Sequence, residues 1–237
     1  MADSVELPVI DLSSADRIST AESIRQCLDW VGSVWLKVLM LKLVCQACVE
    51  YGFFYLVNHG VEEELLKRVF DESRKFFSLP LEEKMKLERR EHRGYTPLYA
   101  ENFNPSLNSR GDSKETFYIG PIKGITVQSN LNQWPSEDSF DEVGMIESLQ
   151  RKVEVQESMT AGKRLITLIA LSLNLDERYF DKVGALDPPM AFVRLLHYPG
   201  ELAISNEETC GASAHSDYGM VTLLATDGIR GLQACLI

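Results

Sequence analysis

Basic residues are scarce in this chain. Its 24 Lys and Arg face 35 Asp and Glu, which leaves a net charge of −11 and a pI near 4.9. No basic stripe is available to grip a phosphate backbone, which excludes nucleic acid as a partner. The five cysteines (Cys27, Cys45, Cys48, Cys210 and Cys235) are odd in number and have no framework spacing. That excludes a disulfide scaffold and points to reduced thiols in the cytoplasm. The opening "MADSVELPVIDLSS" lacks the basic and apolar regions of a secretory signal. There is no internal repeat and no low-complexity tract. Nor is there a clean membrane span, because the most apolar stretch is broken by Asp29, Lys37 and Lys42 where roughly 20 mostly apolar residues are needed.

What is present is the composition of a globular domain, 45% hydrophobic and 25% charged over 237 residues, enough to bury a substantial core. "LPVIDLSS" reads as a short strand ending in a turn, and "AESIRQ" opens a helix. "EYGFFYLVNHGV", residues 50–61, is aromatic and β-branched and predicts a buried strand. From Glu62 to Pro80, Leu65, Leu66, Val69, Phe70, Ser73, Phe76 and Phe77 recur at helical spacing. Acidic residues in the first turn and Lys75 near the last suit the helix dipole, and Pro80 stops the run. "LEEKMKLERREHRGY" predicts a charged, solvated helix breaking at Gly94, and "KETFYIG", 114–120, a strand. Residues 121–140 read as loop. From about Asp141 to Leu173, a period near 3.6 through Ile146, Leu149, Val153, Gln156, Ile166, Ile169 and Leu173 predicts one long helix, with Pro188-Pro189 closing the helical part. "AFVRLLHYPG", "MVTLLATD" and "GLQACLI" are three β-type runs. The order predicts an α/β region followed by the start of an all-β part.

Residues 27–46 disagree with their surroundings. They hold fourteen apolar residues in twenty and two of the three tryptophans. With the stretch removed, "AESIRQ" joins "ACVEYGFFYLVNHGV" as one amphipathic helix leading into a strand. The expectation is a twenty-residue insert, for which retained non-coding sequence is one source; the alternative is an extra buried core helix. An insert of this kind destabilises by overpacking or exposure, at a cost of roughly 1–3 kcal/mol or more. Deleting 27–46 should therefore raise soluble yield, and an unchanged yield would mark the stretch as a native element.

His215-Ser216-Asp217, within "GASAHSDYGMVTLL", carries the chemistry. On a strand, residues i and i+2 share a face, so an imidazole nitrogen and a carboxylate oxygen can converge on one ion. That donor pair suits Fe(II), Mn(II) or Zn(II). Taken alone, a His-x-Asp is more often a capping or turn arrangement than a ligand pair.

The residues around it resemble the plant-type 2-oxoglutarate- and Fe(II)-dependent dioxygenases. "LPVIDLSS" is similar to that family's opening strand and "YGFFYLVNHGV" to its (Y/W)GFF-x-(L/V)-x-NHG(V/I) signature. "FFSLPLEEK" is similar to its FF-x-LP-x-EEK turn, "RLLHYPG" to its R-x-N-Y-Y-P segment, and "AHSDYGMVTLL" to HTD-x-G-x-(L/I)-T-(L/I)-L. The five motifs are in order and cover nearly the whole chain outside 27–46. The resemblance implies an α+β, mostly β fold, an incomplete double-stranded β-helix (jelly roll) preceded by a helix-rich α/β region. It implies three parts: an N-terminal dioxygenase-type region at 1–120, a linker loop and long helix at 121–189, and the first part of the jelly-roll core at 190–237.

It further implies that His215 and Asp217 are iron ligands and that Tyr198 hydrogen-bonds the 2-oxoglutarate carboxylate. Fe(II), 2-oxoglutarate as cosubstrate and ascorbate as reductant are the implied cofactors. The implied reaction hydroxylates or desaturates a small organic metabolite, as in plant secondary metabolism, with decarboxylation to succinate. Leu196 stands where the family has asparagine, so that polar contact is lost or replaced. His197 points away from Tyr198 and is structural, His59 serves a backbone turn, and His92 is solvated.

The family's third ligand, a histidine some fifty to sixty residues beyond His-x-Asp, has no counterpart among residues 218–237, and neither has the Arg-x-Ser that follows it. Arg230 lies too early to replace that arginine. The expectation is a truncated member that is inactive as written, with unpaired strand edges and an exposed apolar sheet face. Two alternatives stay open: a non-catalytic splice product, inert or associating with a full-length relative, and a related iron oxidase that does not use 2-oxoglutarate.

Overall fold

The computed structural model describes residues 9–29, 54–102, 111–120, 132–135, 154–187, 190–200, 211–212 and 219–229. They fall into two compact units, each assembled from segments distant in sequence.

The first unit contains residues 9–29, 54–61, 157–187 and 219–229. Strand β1, Val9–Asp11, pairs in parallel with β2, Tyr55–Val57, with Ile10 opposite Leu56. Helix α1, Arg17–Asp29, starts at a side-chain cap, where the Ser19 N–H donates to Asp16 Oδ1 at 3.0 Å. Its residues Ala21 and Ile24 are buried with Ile10 and Leu12. Helices α2, Glu63–Phe77, and α3, Leu81–Met85, belong to the other unit. Helix α4, Glu154–Ser172, brings Ala161, Leu165 and Leu168 to the core of the first. It ends on Asn174 in the left-handed region (φ 58°), with the Leu175 N–H returning to the Ala170 carbonyl at 2.9 Å. A four-residue helix α5, Tyr179–Lys182, follows.

Two expectations change in this unit. The strand at 50–61 shortens to β2, and Tyr55 and Val57 are exposed; only the Phe54 and Leu56 side meets the core. Residues 51–53 lie outside the described residues. "MVTLLATD" forms no strand. Residues 219–229 have no regular structure, and although Val221 packs on the core, Met220, Leu223, Leu224 and Ile229 are exposed. β-Propensity needs a neighbouring strand to become a strand, and none pairs with this segment among the described residues. Residues 30–46 of the predicted insert, 141–153 of the predicted long helix and the run "GLQACLI" lie outside the described residues.

The second unit contains residues 62–102, 111–120, 132–135, 190–200 and 211–212. Helix α2 matches its predicted range to within two residues, with Glu63 and Glu64 in its first turn and Arg74 and Lys75 in its last. Helix α3 is far shorter than the predicted charged helix. Leu87 and Tyr95 are both buried, and the chain between them reverses so that both reach one core. Arg90 and Arg93 exchange both backbone hydrogen bonds at 2.8 Å around Glu91 and His92, which take positive φ. Burial of two side chains overrides helix propensity here.

Strands β3, Gly94–Thr96, β4, Glu115–Ile119, and β5, Val193–His197, form an antiparallel sheet in the order β3-β4-β5. Tyr95, Phe117 and Leu195 lie in one row across it, with Ile119 beside them, and they pack on Phe76, Phe77 and Leu87. The core of this unit therefore occupies one face of the sheet. Among the described residues of the chain, no helix is long and apolar enough to cross a membrane.

Candidate functional site

Because side chains alternate across a strand, packing one sheet face on α2 leaves the opposite face for everything else. On β5 the packed face takes Val193, Leu195 and His197; the other takes Arg194 and Leu196, with Tyr198 next in the same alternation. Tyr198 itself follows one residue beyond the end of β5. His197 has a structural contact on its own side, Nδ1 lying 2.8 Å from Glu115 Oε1, and its ring stacks on Phe77 with centroids 5.3 Å apart.

Glu115 anchors a buried hub on the packed face. It accepts from Lys84 Nζ at 2.8 Å and from the Tyr95 hydroxyl. Burial alone would raise the Glu115 pKa, but the bonds from Lys84, Tyr95 and His197 outweigh it and hold the carboxyl below the ordinary glutamate range. Burial, and then the bond to Glu115, pushes the Tyr95 phenol up.

The opposite face carries two rows. Thr96, Thr116 and Leu196 are aligned across the strands, and so are Gly94, Tyr118 and Arg194. Gly94 is required where it stands: its φ is 104°, and a Cβ there would lie 2.4 Å from the Leu87 carbonyl oxygen. Glu101 organises the charges on this side, with Arg194 in direct contact, Arg89 at 3.1 Å, Lys114 at 3.5 Å and the Tyr118 hydroxyl donating at 3.2 Å. The Arg89 and Arg194 guanidinium carbons sit 4.2 and 4.7 Å from the Tyr118 ring centroid. Lys114 also pairs with the fully buried Asp112.

Tyr198 is half exposed, at 50%. Burial of its hydroxyl raises its pKa, with Asp112 and Glu101 adding to the rise and Arg194 opposing it, so at neutral pH it is a protonated donor. Gly211 approaches the ring so closely that a Cβ there would sit 3.1 Å from Cδ1 and Cε1.

His215 and Asp217 lie outside the described residues. Among the described residues, no three His, Cys, Asp or Glu side chains group closely enough to hold a metal ion. His59 Nδ1 accepts the Val61 N–H at 3.1 Å within the turn, and His92 is exposed, with Nδ1 3.0 Å from Arg89 Nη2. Thr96, Thr116, Glu101 and the Glu115 hub carry no motif. The one sequence signal for the hub is a glutamate at the head of the β-type run "ETFYI", which on a central strand demands a partner.

The family model for the non-haem dioxygenase in morphine synthesis N-terminal region matches residues 7–137. The chain belongs to the 2-oxoglutarate- and Fe(II)-dependent dioxygenase family. Within that family it is 36% identical over 199 residues to kihadalactone A synthase LFS from Citrus sinensis, an alignment covering 80% of this chain and 58% of that protein. It is 32% identical over 209 residues to a 2-oxoglutarate-Fe(II) type oxidoreductase of Aspergillus fumigatus, covering 83% of this chain and 60% of the relative. Among solved structures, a full-length Neurospora crassa protein in complex with alpha-KG gives a TM-score of 0.64 at 25% identity, over 92% of this chain and 63% of that one. The 2-oxoglutarate oxygenase fold is thus shown, and the chain spans about 60% of the length of these curated relatives.

Proposed function

We propose that the chain carries the cosubstrate and metal half of a dioxygenase site. Tyr198 donates to a carboxylate of 2-oxoglutarate, His215 and Asp217 hold Fe(II), and a small organic metabolite is hydroxylated or desaturated. The observation that carries this reading is the placement of Tyr198. It stands one residue beyond β5 as a neutral donor, within the electrostatic reach of Arg194, Asp112 and Glu101. An anionic cosubstrate suits a neutral phenol near a guanidinium. The imidazole-plus-carboxylate donor set suits Fe(II). Bound iron and 2-oxoglutarate would supply the O₂ activation and decarboxylation to succinate that define the family, with ascorbate as reductant.

The chain's own residues bind and orient. The Tyr198 hydroxyl fixes one carboxylate, the Gly211 backbone limits where the ring can swing, and Glu101 holds the guanidinium of Arg194. A tyrosine is a single neutral donor, weaker than a charge-assisted bidentate clamp, and two protein donors fix a metal's geometry less well than three. Residues 1–237 alone are therefore proposed to bind Fe(II) weakly and to give no turnover.

Anaerobic titration with Fe(II) and 2-oxoglutarate, followed through the visible charge-transfer band of the ternary complex, tests this. The expected result is no saturable band at micromolar iron for residues 1–237, and a band that vanishes in His215→Ala once a relative's C-terminal segment is appended. A band at micromolar iron from 1–237 alone would refute the weak-binding reading. No band in either form would refute the assignment of His215 and Asp217.

A second reading, association with a full-length relative, is favoured by the exposed Met220, Leu223, Leu224 and Ile229 on a segment of β-type sequence that forms no strand. Co-expression with such a relative should give a complex that Leu223→Lys/Leu224→Lys dissolves; separate elution of the two untagged chains would dispose of it.

A further inference from the structure

Three polar atoms on the sheet face opposite the packed core, the side of the Arg194 and Glu101 charges that reach Tyr198, are buried without a hydrogen-bond partner: Thr96 Oγ1, Thr116 Oγ1 and Arg194 Nε. Thr116 is 1% exposed and Thr96 9%. The two threonines are directly paired across β3 and β4, and Arg194 lies diagonal to Thr116 across β4 and β5. Opposed residues bring their Cβ atoms to about 4.5–5.5 Å and diagonal ones to within about 7–8 Å. At that spacing two threonines commonly bond each other, yet these do not. Leaving a buried donor unsatisfied is costly, and three on one face of one small sheet call for a common partner.

The neighbouring charges say what kind. Arg89, Arg194 and Lys114 are gathered with Glu101 and Asp112 on this side of the sheet. Each orphan can donate: two hydroxyls and one guanidinium N–H. An acceptor that takes all three donors, one of them a guanidinium, fits a carboxylate.

We propose that Thr96, Thr116 and Arg194 form a subsite for a carboxylate of the organic substrate, distinct from the cosubstrate contact at Tyr198. The assignment to substrate rests on the reading that this face of the sheet is the reaction face, and it narrows the substrate class to small organic acids. It also accounts for Leu196 between the two groups: an apolar residue on the same face separates one acid-binding position from the other.

The test uses the 237-residue chain and benzoate as probe, with toluene as its apolar counterpart, read by saturation-transfer NMR and calorimetry. Benzoate is expected to bind saturably and toluene at least tenfold more weakly. Thr96→Val/Thr116→Val keeps the side-chain shape, should be no less stable than the parent in urea without ligand, and should weaken benzoate about a hundredfold, about tenfold for each of the two charge-assisted hydrogen bonds lost. Thr96→Ser/Thr116→Ser retains the hydroxyls and should bind benzoate within twofold of the parent. Tyr198→Phe should leave benzoate binding unchanged. Benzoate that fails to bind, binds no better than toluene, or is indifferent to the double valine variant overturns the proposal. So does benzoate binding that falls in Tyr198→Phe, because the probe would then occupy the cosubstrate position. If 2-oxoglutarate fails to bind the chain carrying an appended C-terminal segment while threonine-dependent benzoate binding persists, the cosubstrate reading falls and the acid subsite stands.

Discussion

Replacing Lys84 with methionine will cost the fold about 3–5 kcal/mol at neutral pH, the loss typical of breaking a buried ion pair from one side. Both partners are sequestered, Lys84 at 9% side-chain exposure and Glu115 at 8%. Methionine fills the space of the lysine stem but leaves the Glu115 carboxylate with only the Tyr95 hydroxyl and the His197 ring. The pH dependence should invert as well. In the parent, hydrogen bonds hold the Glu115 pKa below its ordinary value of 4.5. Its contribution is therefore fully present above that value and lost as pH falls through the folded pKa. Without Lys84, burial becomes the dominant influence and favours the protonated acid, so the variant should gain stability relative to the parent as pH falls. Urea unfolding at pH 7, pH 5 and below pH 4.5 measures both effects. A gap between parent and variant that stays constant over this range would mean that Lys84 acts through packing alone.

Phe76→Ala should be as damaging, about 3–5 kcal/mol. The ring is 0% exposed and touches three others: Phe117 at 4.6 Å between centroids, Phe77 at 5.2 Å and Tyr95 at 6.0 Å, the last two edge-on. Alanine removes the hub of that arrangement, and a helix and two strands cannot all close on the void. Phe76→Leu should recover more than half of the loss, since it restores most of the volume without the edge-on geometry. Equal losses for alanine and leucine in urea unfolding would mean that ring geometry, and not volume, sets the cost.

The element types that were legible in the sequence are those whose stability is local. The periodic run through Leu65, Phe76 and Phe77 defines α2, and the alternation in "VRLLH" separates His197 from Arg194 and Leu196. What was not legible depends on distant partners. Nothing in "LEEKMKLERREH" says that Lys84 is drawn inward, because its partner Glu115 is 31 positions away. The charged run looks like a solvated helix until Leu87 and Tyr95 compete for one core. "MVTLLATD" carries strand propensity, but a strand is a relation between two segments and not a property of one. For the site, motif resemblance reached Tyr198, whereas Thr96 and Thr116 are ordinary letters until register places them side by side.

The three-stranded sheet also shapes how such a protein can change over generations. Its odd-numbered positions on β4 and β5 face the core beneath α2, and its even-numbered ones face the opposite side, where the acid subsite is proposed. The two sets of demands are interleaved along the chain but are separated in space by one backbone thickness. On that proposal, exchanges at Thr116, Arg194 or Leu196 would retune the ligand through the face that α2 does not touch. Insertion or loss of a single residue in β5 is another matter, since it would exchange the two sets in one step and forfeit architecture and chemistry together.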